Sequence, residues 1–327
     1  MAKPTRGSEF VQWIDTSALL SPEADPTINN HINTATTETY GSPTAPLGFR
    51  LGNGGAGYTG ILKALCDAFI FHKSQSGTAK PFRVEWVANH SRHTQLALLG
   101  DAVQIALTYE PDWEDQATAE GWAKRIGRAF NDRFVLAGPD TDPARVAETV
   151  CRPGNDDLRI CLAFREIARF GGKSGKVVLH HRGDGSATSV KEMQLWGMSG
   201  VDLSTSLPWR SRISLPPHGA LVEAAKAGVY VLTDRATYLS AERAGVIPGM
   251  KVFVEEGRYL LNPCSILVNT KVERNECAWE FAEWLTGAQA QVIVRHFGKD
   301  KSTGLPVFTD GKSEEVYSGW SLVKAKL

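Results

Sequence analysis

The segment Arg182-Gly183-Asp184-Gly185-Ser186-Ala187-Thr188 sets one guanidinium and two hydroxyls around a glycine-containing turn. It follows the apolar run Val177 to His181 and precedes Val190 to Trp196, whose pattern predicts a helix. A helix start presents N–H groups without intrahelical partners at the positive end of the aligned peptide dipoles, so this turn can seat an anion. Arg182 would supply charge, and Ser186 and Thr188 directional hydrogen bonds. A capped helix with a surface arginine would use the same residues. A second seat upstream favours the anion. Gly52-Asn53-Gly54-Gly55-Ala56-Gly57-Tyr58-Thr59-Gly60 lies between Leu47, Phe49 and Leu51 and an amphipathic helix carrying Ile61, Leu62, Leu65, Cys66, Phe69 and Ile70. It too brings bare backbone N–H groups to a helix start, with Asn53, Gly54, Gly55 and Thr59 as candidate ligand residues.

A third polar strand end, Thr233-Asp234-Arg235, follows Tyr230 to Leu232. Arg235 can brace the fold by pairing with an acid, or face the anion. Tyr109 can line the site as a hydrogen-bonding wall. Sharper chemistry finds less support. Gly52 to Gly57 spells the dinucleotide fingerprint, but the next strand, Phe82 to Val87, ends in Ala88-Asn89 instead of the acid that would hold a ribose. His90, His93 and the pair His180-His181 have no acid completing a metal set, and adjacent strand residues point to opposite faces. Ser186 has no nucleophile-elbow context, and His181 stands too near it to be assigned as its base. We expect no catalytic residue, metal or cofactor.

The elements that must carry these loops alternate between strand and helix patterns. Strands are expected at Phe82 to Val87, Val103 to Thr108, Phe134 to Ala137, Val229 to Thr233, Lys251 to Glu255 and Ile266 to Val268. Helices are expected at Thr94 to Leu99, Ala144 to Val150, Leu158 to Phe170 and Ala220 to Lys226, with a short one through Tyr238 and a single long one from Cys277 to Phe297. The last carries Trp279, Phe281, Trp284 and Leu285, a stripe suited to docking on a core. Such alternation gives an α/β fold with parallel-rich sheets flanked by helices, and ligands sit outside the carboxyl ends of the strands. Residues 1–45, rich in Thr, Asn, Pro and Ser, read as an extension.

The 327 residues suffice for two lobes with cores of their own, and 36 basic against 36 acidic side chains create no net field for nucleic acid or an anionic membrane. No apolar run reaches membrane-spanning length, and the polar start MAKPTRGSEF has no secretory core. Five widely spaced cysteines, Cys66, Cys151, Cys161, Cys264 and Cys277, read as reduced core residues. The expected location is cytoplasmic, or peroxisomal in a eukaryote because the chain ends Ala325-Lys326-Leu327, and periplasmic only if an export signal was removed.

Five ordered blocks resemble the tungstate- and molybdate-type solute-binding proteins of ABC transporters. They are Asn131 to Pro139, Arg182 to Thr188, Leu232 to Tyr238, Leu261-Asn262-Pro263 and Gly304 to Phe308, within about residue 47 to 310. The resemblance implies a two-lobed periplasmic-binding-protein-like fold, each lobe a mixed, mostly parallel sheet flanked by helices, with two crossover strands. Lobe 1 would be 46–135 plus 262–327 and lobe 2 136–261, with a small anion in the cleft and hinge closure around it. It also implies a Thr/Ser-rich first loop supplying hydroxyls to the metal oxyanion. Here that loop is Gly52-Asn53-Gly54-Gly55, keeping Thr59 alone of the downstream hydroxyls, and its lost bulk would admit a larger phosphate- or carboxylate-bearing anion. The function expected is non-catalytic binding of a tetrahedral oxyanion such as tungstate or molybdate, or of such a metabolite, by a monomer not inserted in a membrane. An intracellular enzyme on the same fold, akin to the thiamin-pyrimidine synthase and using His180, His181 or Cys264, is the alternative. A ligand-gated regulator of an unidentified protein partner is another.

Overall fold

The computed structural model describes residues 32–75, 80–151, 156–183, 186–203, 207–299 and 306–312. They form two compact units, 32–131 with 263–312, and 132–262. The first holds β1 (Glu38–Tyr40), β2 (Leu47–Asn53), α1 (Gly55–Tyr58), α2 (Ile61–Gln75), β3 (Arg83–Ala88), α3 (Ser91–Leu99), β4 (Ile105–Thr108) and α4 (Pro111–Ala119). The long strand β5 (Ala123–Pro139) leads into the second unit. There lie α5 (Val146–Val150), α6 (Asp156–Ser174), β6 (Leu179–His181), α7 (Ala187–Ser199), β7 (Arg210–Arg212), α8 (Pro217–Ala227), β8 (Tyr230–Asp234), α9 (Arg235–Arg243) and β9 (Met250–Val254). The strand β10 (Leu261–Asn269) returns to the first unit, which ends in α10 (Cys277–Leu285), α11 (Ala288–His296) and β11 (Thr309–Asp310).

In the first unit the strand order is β1-β3-β2-β4-β10-β5, with β11 on β5. β2 is parallel to both β3 and β4, so three carboxyl ends share one edge, and each feeds a loop and then a helix. Ile105 to Thr108 are buried throughout, as befits a central strand covered on both faces. Ile61, Leu62, Leu65, Cys66 and Phe69 form the buried stripe of α2. Phe281 of α10 meets it, its ring 5.1 Å from Phe69 and 5.0 Å from Phe49.

Two sequence expectations change in this unit. The expected terminal helix is two helices, because the chain turns extended at Gly287 (φ −82°, ψ 163°) after Thr286 caps α10. Glycine is the weakest ordinary helix former, and here it starts α11 by accepting from the Gln291 amide. Of the expected extension, 32–45 is integrated: β1 pairs antiparallel with β3, and Tyr40 is buried. Its residues 1–31 lie outside the described residues, as does Ala325-Lys326-Leu327.

The second unit orders its strands β5-β8-β6-β7, with β6 parallel to β7 and β8, and β9 antiparallel to β5. Alternation along β5 separates two cores. Phe134 and Leu136 join Phe164, Trp196 and Leu232 on the side of α6 and α7, whereas Val135 and Ala137 join Leu221, Val231 and Tyr238 on the side of α8 and α9. Helices α7 and α9 start beyond the carboxyl ends of β6 and β8, which places their first turns on one edge of the sheet.

Candidate anion-binding site

In the first unit the glycine loop is held from inside. Asn53 is fully buried; its Nδ2 donates to the Leu107 carbonyl (2.9 Å) and its Oδ1 accepts from the Gly57 amide (2.9 Å). Its own carbonyl accepts from Trp86 Nε1 (3.0 Å) and the Asn89 amide (3.1 Å). The Thr59 hydroxyl donates to the Ala56 carbonyl at 2.6 Å. Both residues were candidate ligand residues, and in the structure the Asn53 amide and the Thr59 hydroxyl fasten the loop. Glycine is required at two positions by contact: a methyl on Gly57 would lie 2.1 Å from the Trp86 ring, and one on Gly54 2.9 Å from the Asn89 carbonyl oxygen. Gly55 differs, facing open space with nothing within 4 Å of its hypothetical Cβ. Among the described residues, no backbone carbonyl accepts from the Gly55 or Ala56 amide. These two N–H groups stand at the start of α1, where no intrahelical partner exists.

Two further loops on this edge carry charge. The His90 and His93 rings meet at the start of α3, centroids 3.8 Å apart and tilted by 35°. Arg92 lies 4.5 Å above the Trp113 ring and donates to Glu110 Oε2 (3.3 Å). Glu110 is buried at the end of β4 beside the half-buried Tyr109, whose amide donates to Ser91 Oγ (3.1 Å). Burial pushes the Glu110 carboxyl up to about 7, against the pull of Arg92. Sequence reasoning missed this acid; the proline after it, which opens α4, marks it only as a helix start.

In the second unit Arg182, Ser186 and Thr188 are all buried around the first turn of α7. Ser186 is the N-cap, accepting from the Ser189 amide (3.4 Å). Gly183 adopts φ 54°, a left-handed conformation that favours glycine. Asp184 and Gly185 lie outside the described residues. One turn into α7 stands Lys191, 3% exposed, with its ammonium 5.7 Å from the Phe134 ring centroid. Burial drives its pKa well below that of a free lysine. Neighbouring Glu192 accepts from Trp196 Nε1 (2.9 Å) and Arg210 Nη2 (3.0 Å). Sequence reading passed over Lys191 because a lysine in a helix pattern reads as solvated.

Arg235, at the end of β8, pairs with Glu255 (3.2 Å) and so braces β9. The Asp234 carboxylate caps α9, accepting from the Thr237 amide and hydroxyl, each at 2.7 Å. Asp132 is buried close by, and burial reinforced by the charge of Asp234 holds its carboxyl well above the usual range. His181 is pushed down to about 4 by burial and by Arg210 and Arg212, so its imidazole is neutral at pH 7. Among the described residues no three His, Cys, Asp or Glu side chains are grouped to hold a metal ion, and all five cysteines are free thiols.

In the second unit a buried arginine and a capped helix start follow the carboxyl end of a parallel strand, where folds of this class bind ligands. Residues 34–289 match the PBP superfamily domain, and the chain belongs to that superfamily. It is 29% identical over 220 residues to the tungstate-binding protein TupA of Peptoclostridium acidaminophilum, covering 66% of this chain and 70% of that one. It is 31% identical to a periplasmic protein of known structure proposed to bind metal (TM-score 0.70, 84% of this chain and 98% of that one). The fold of the tungstate-binding protein TupA from Desulfovibrio alaskensis G20 is shared at 24% identity (TM-score 0.60, 81% and 98% covered). These are binding proteins, not enzymes, and the chain is placed with them. The expected cytoplasmic or peroxisomal location is corrected, since the relatives point to the periplasm. A three-residue ending was too short a signal to outweigh a relative described as periplasmic. No described helix is long and apolar enough to cross a membrane.

Proposed function

We propose that this chain captures a small oxyanion for an ABC transporter, with Arg182, Ser186 and Thr188 of the second unit as its donors; the Gly55 and Ala56 amides are separate candidate donors in the first unit. The observation that carries this reading is that a buried arginine, Arg182, follows β6 just before the Ser186-capped start of α7. Guanidinium, N–H and hydroxyl donors together can replace an anion's hydration. Tungstate is the first candidate, because TupA relatives bind it. The open space at Gly55 supports a second reading, a larger phosphate- or carboxylate-bearing anion.

A thermal-shift panel with tungstate, molybdate, sulfate, phosphate and phosphorylated or carboxylated metabolites separates the two, since a native-state ligand raises Tm with the logarithm of its concentration over Kd. Arg182→Ala is expected to weaken the active anion by about 2–3 kcal/mol, roughly 30- to 150-fold in Kd, and Ser186→Ala by less. Equal affinity of Arg182→Ala and the parent would overturn the assignment.

A further inference from the structure

Besides Arg182, three arginines stand on or just after the strands β7 and β8, and they differ in what holds them. Arg210 is tied to Glu192 (3.0 Å) and Arg235 to Glu255 (3.2 Å). Arg212, the last residue of β7, is exposed, and among the described residues no acidic side chain pairs with it. β6 and β7 run parallel with Arg212 level with His181, whose carbonyl accepts from the Ile213 amide (2.8 Å). The two strands therefore end together, on the edge where α7 begins. The Arg212 side chain lies against the turn that leaves β6. A methyl on Gly183 would stand 3.1 Å from Arg212 Nε, 3.2 Å from its Cδ and 3.0 Å from His181 Cε1, so the arginine stem and the imidazole flank the backbone just after Arg182. Burial, Arg210 and Arg212 together push His181 down to about 4. The positive charge of this corner at pH 7 thus comes from guanidiniums, which stay protonated.

An acid beside an arginine cancels most of its field, whereas an arginine without one acts on any charge that approaches. Resting on the capture reading above, we propose that Arg212 is a further specificity-determining residue of the second unit, a rim cation that draws anions to the turn after Arg182 and favours those of higher charge. Arg182, Ser186 and Thr188 would grip the anion's oxygens through short hydrogen bonds, which read its shape. Arg212 works at longer range, so it reads net charge, and salt screens it as it screens other exposed charges.

The test uses the full chain and titration calorimetry with tungstate and sulfate, which carry two charges, and with perchlorate, tetrahedral but singly charged. Each titration is repeated from about 0.02 to about 0.5 M sodium chloride. Arg212→Gln is expected to raise the dianion Kd about threefold to tenfold at the lowest salt and to converge on the parent at the highest, with a smaller loss for perchlorate and an unchanged Tm. Arg212→Lys keeps the charge and is expected to retain most of the affinity. A dianion Kd of Arg212→Gln equal to the parent's at low salt would overturn the proposal. So would a loss that persists undiminished at high salt, or one that Arg212→Lys shares, since either marks a packing role against Gly183. Where the parent takes a dianion and not perchlorate, the salt series on the dianion alone decides. If the parent binds none of the three, the capture reading itself fails, a result distinct from binding that ignores Arg212.

Discussion

Gly55 and Gly57 stand two residues apart with opposite obligations. At Gly57 the backbone lies against the Trp86 indole, so Gly57→Ala is expected to cost about 1–3 kcal/mol through overpacking. Gly55→Ala points into open space and is expected to change stability by less than about 0.5 kcal/mol. Urea denaturation of the two variants checks this; equal losses would mean the loop does not rest on Trp86. Reading a glycine-rich string cannot separate these roles, because the distinction lies in what faces each Cα, here a side chain from another strand. Asn53 and Thr59 were likewise candidate ligand residues. Their side chains bond the backbone instead, Asn53 reaching Leu107 54 residues away and Thr59 the nearby Ala56.

Between elements, Glu110 links the start of α4 to α3 through Arg92. Its carboxyl sits at about 7 in the fold against an ordinary 4.5. The folded chain therefore keeps a proton that the unfolded chain releases, so this group's contribution weakens as pH rises from about 4.5 to about 7 and is level above. Glu110→Gln is expected to flatten that decline and raise the urea midpoint at about pH 8, with little change near about pH 4. Coincident pH profiles of variant and parent would rule the burial argument out. Long periodic elements such as α2 and α6 were legible from their apolar stripes alone. The break at Gly287 was not, since one glycine does not by itself end a helical pattern; its trace is the five-residue step between buried Leu285 and Ala290, which shifts the apolar face. Nor was β1, a three-residue strand of sequence Glu-Thr-Tyr whose membership depends on pairing with β3.

At the scale of the molecule, balanced charge would leave the proposed anion recognition to individual residues, and the ordered blocks around Arg182, Asp132 and Asn262 were enough to read the fold. Location was misread, because compartment is an address and not a consequence of packing. The contact between the glycine loop and Trp86 has a practical corollary for the whole protein. The indole donates to Asn53, bears Gly57 on its face and meets the exposed Tyr58 ring edge-on at 4.9 Å. An indole so placed is a spectroscopic gauge: its emission should change when an anion settles on the Gly55 and Ala56 amides, and Trp86→Phe should silence that change. Occupancy of the loop could then be followed by light in milliseconds, without labelling the protein or the anion.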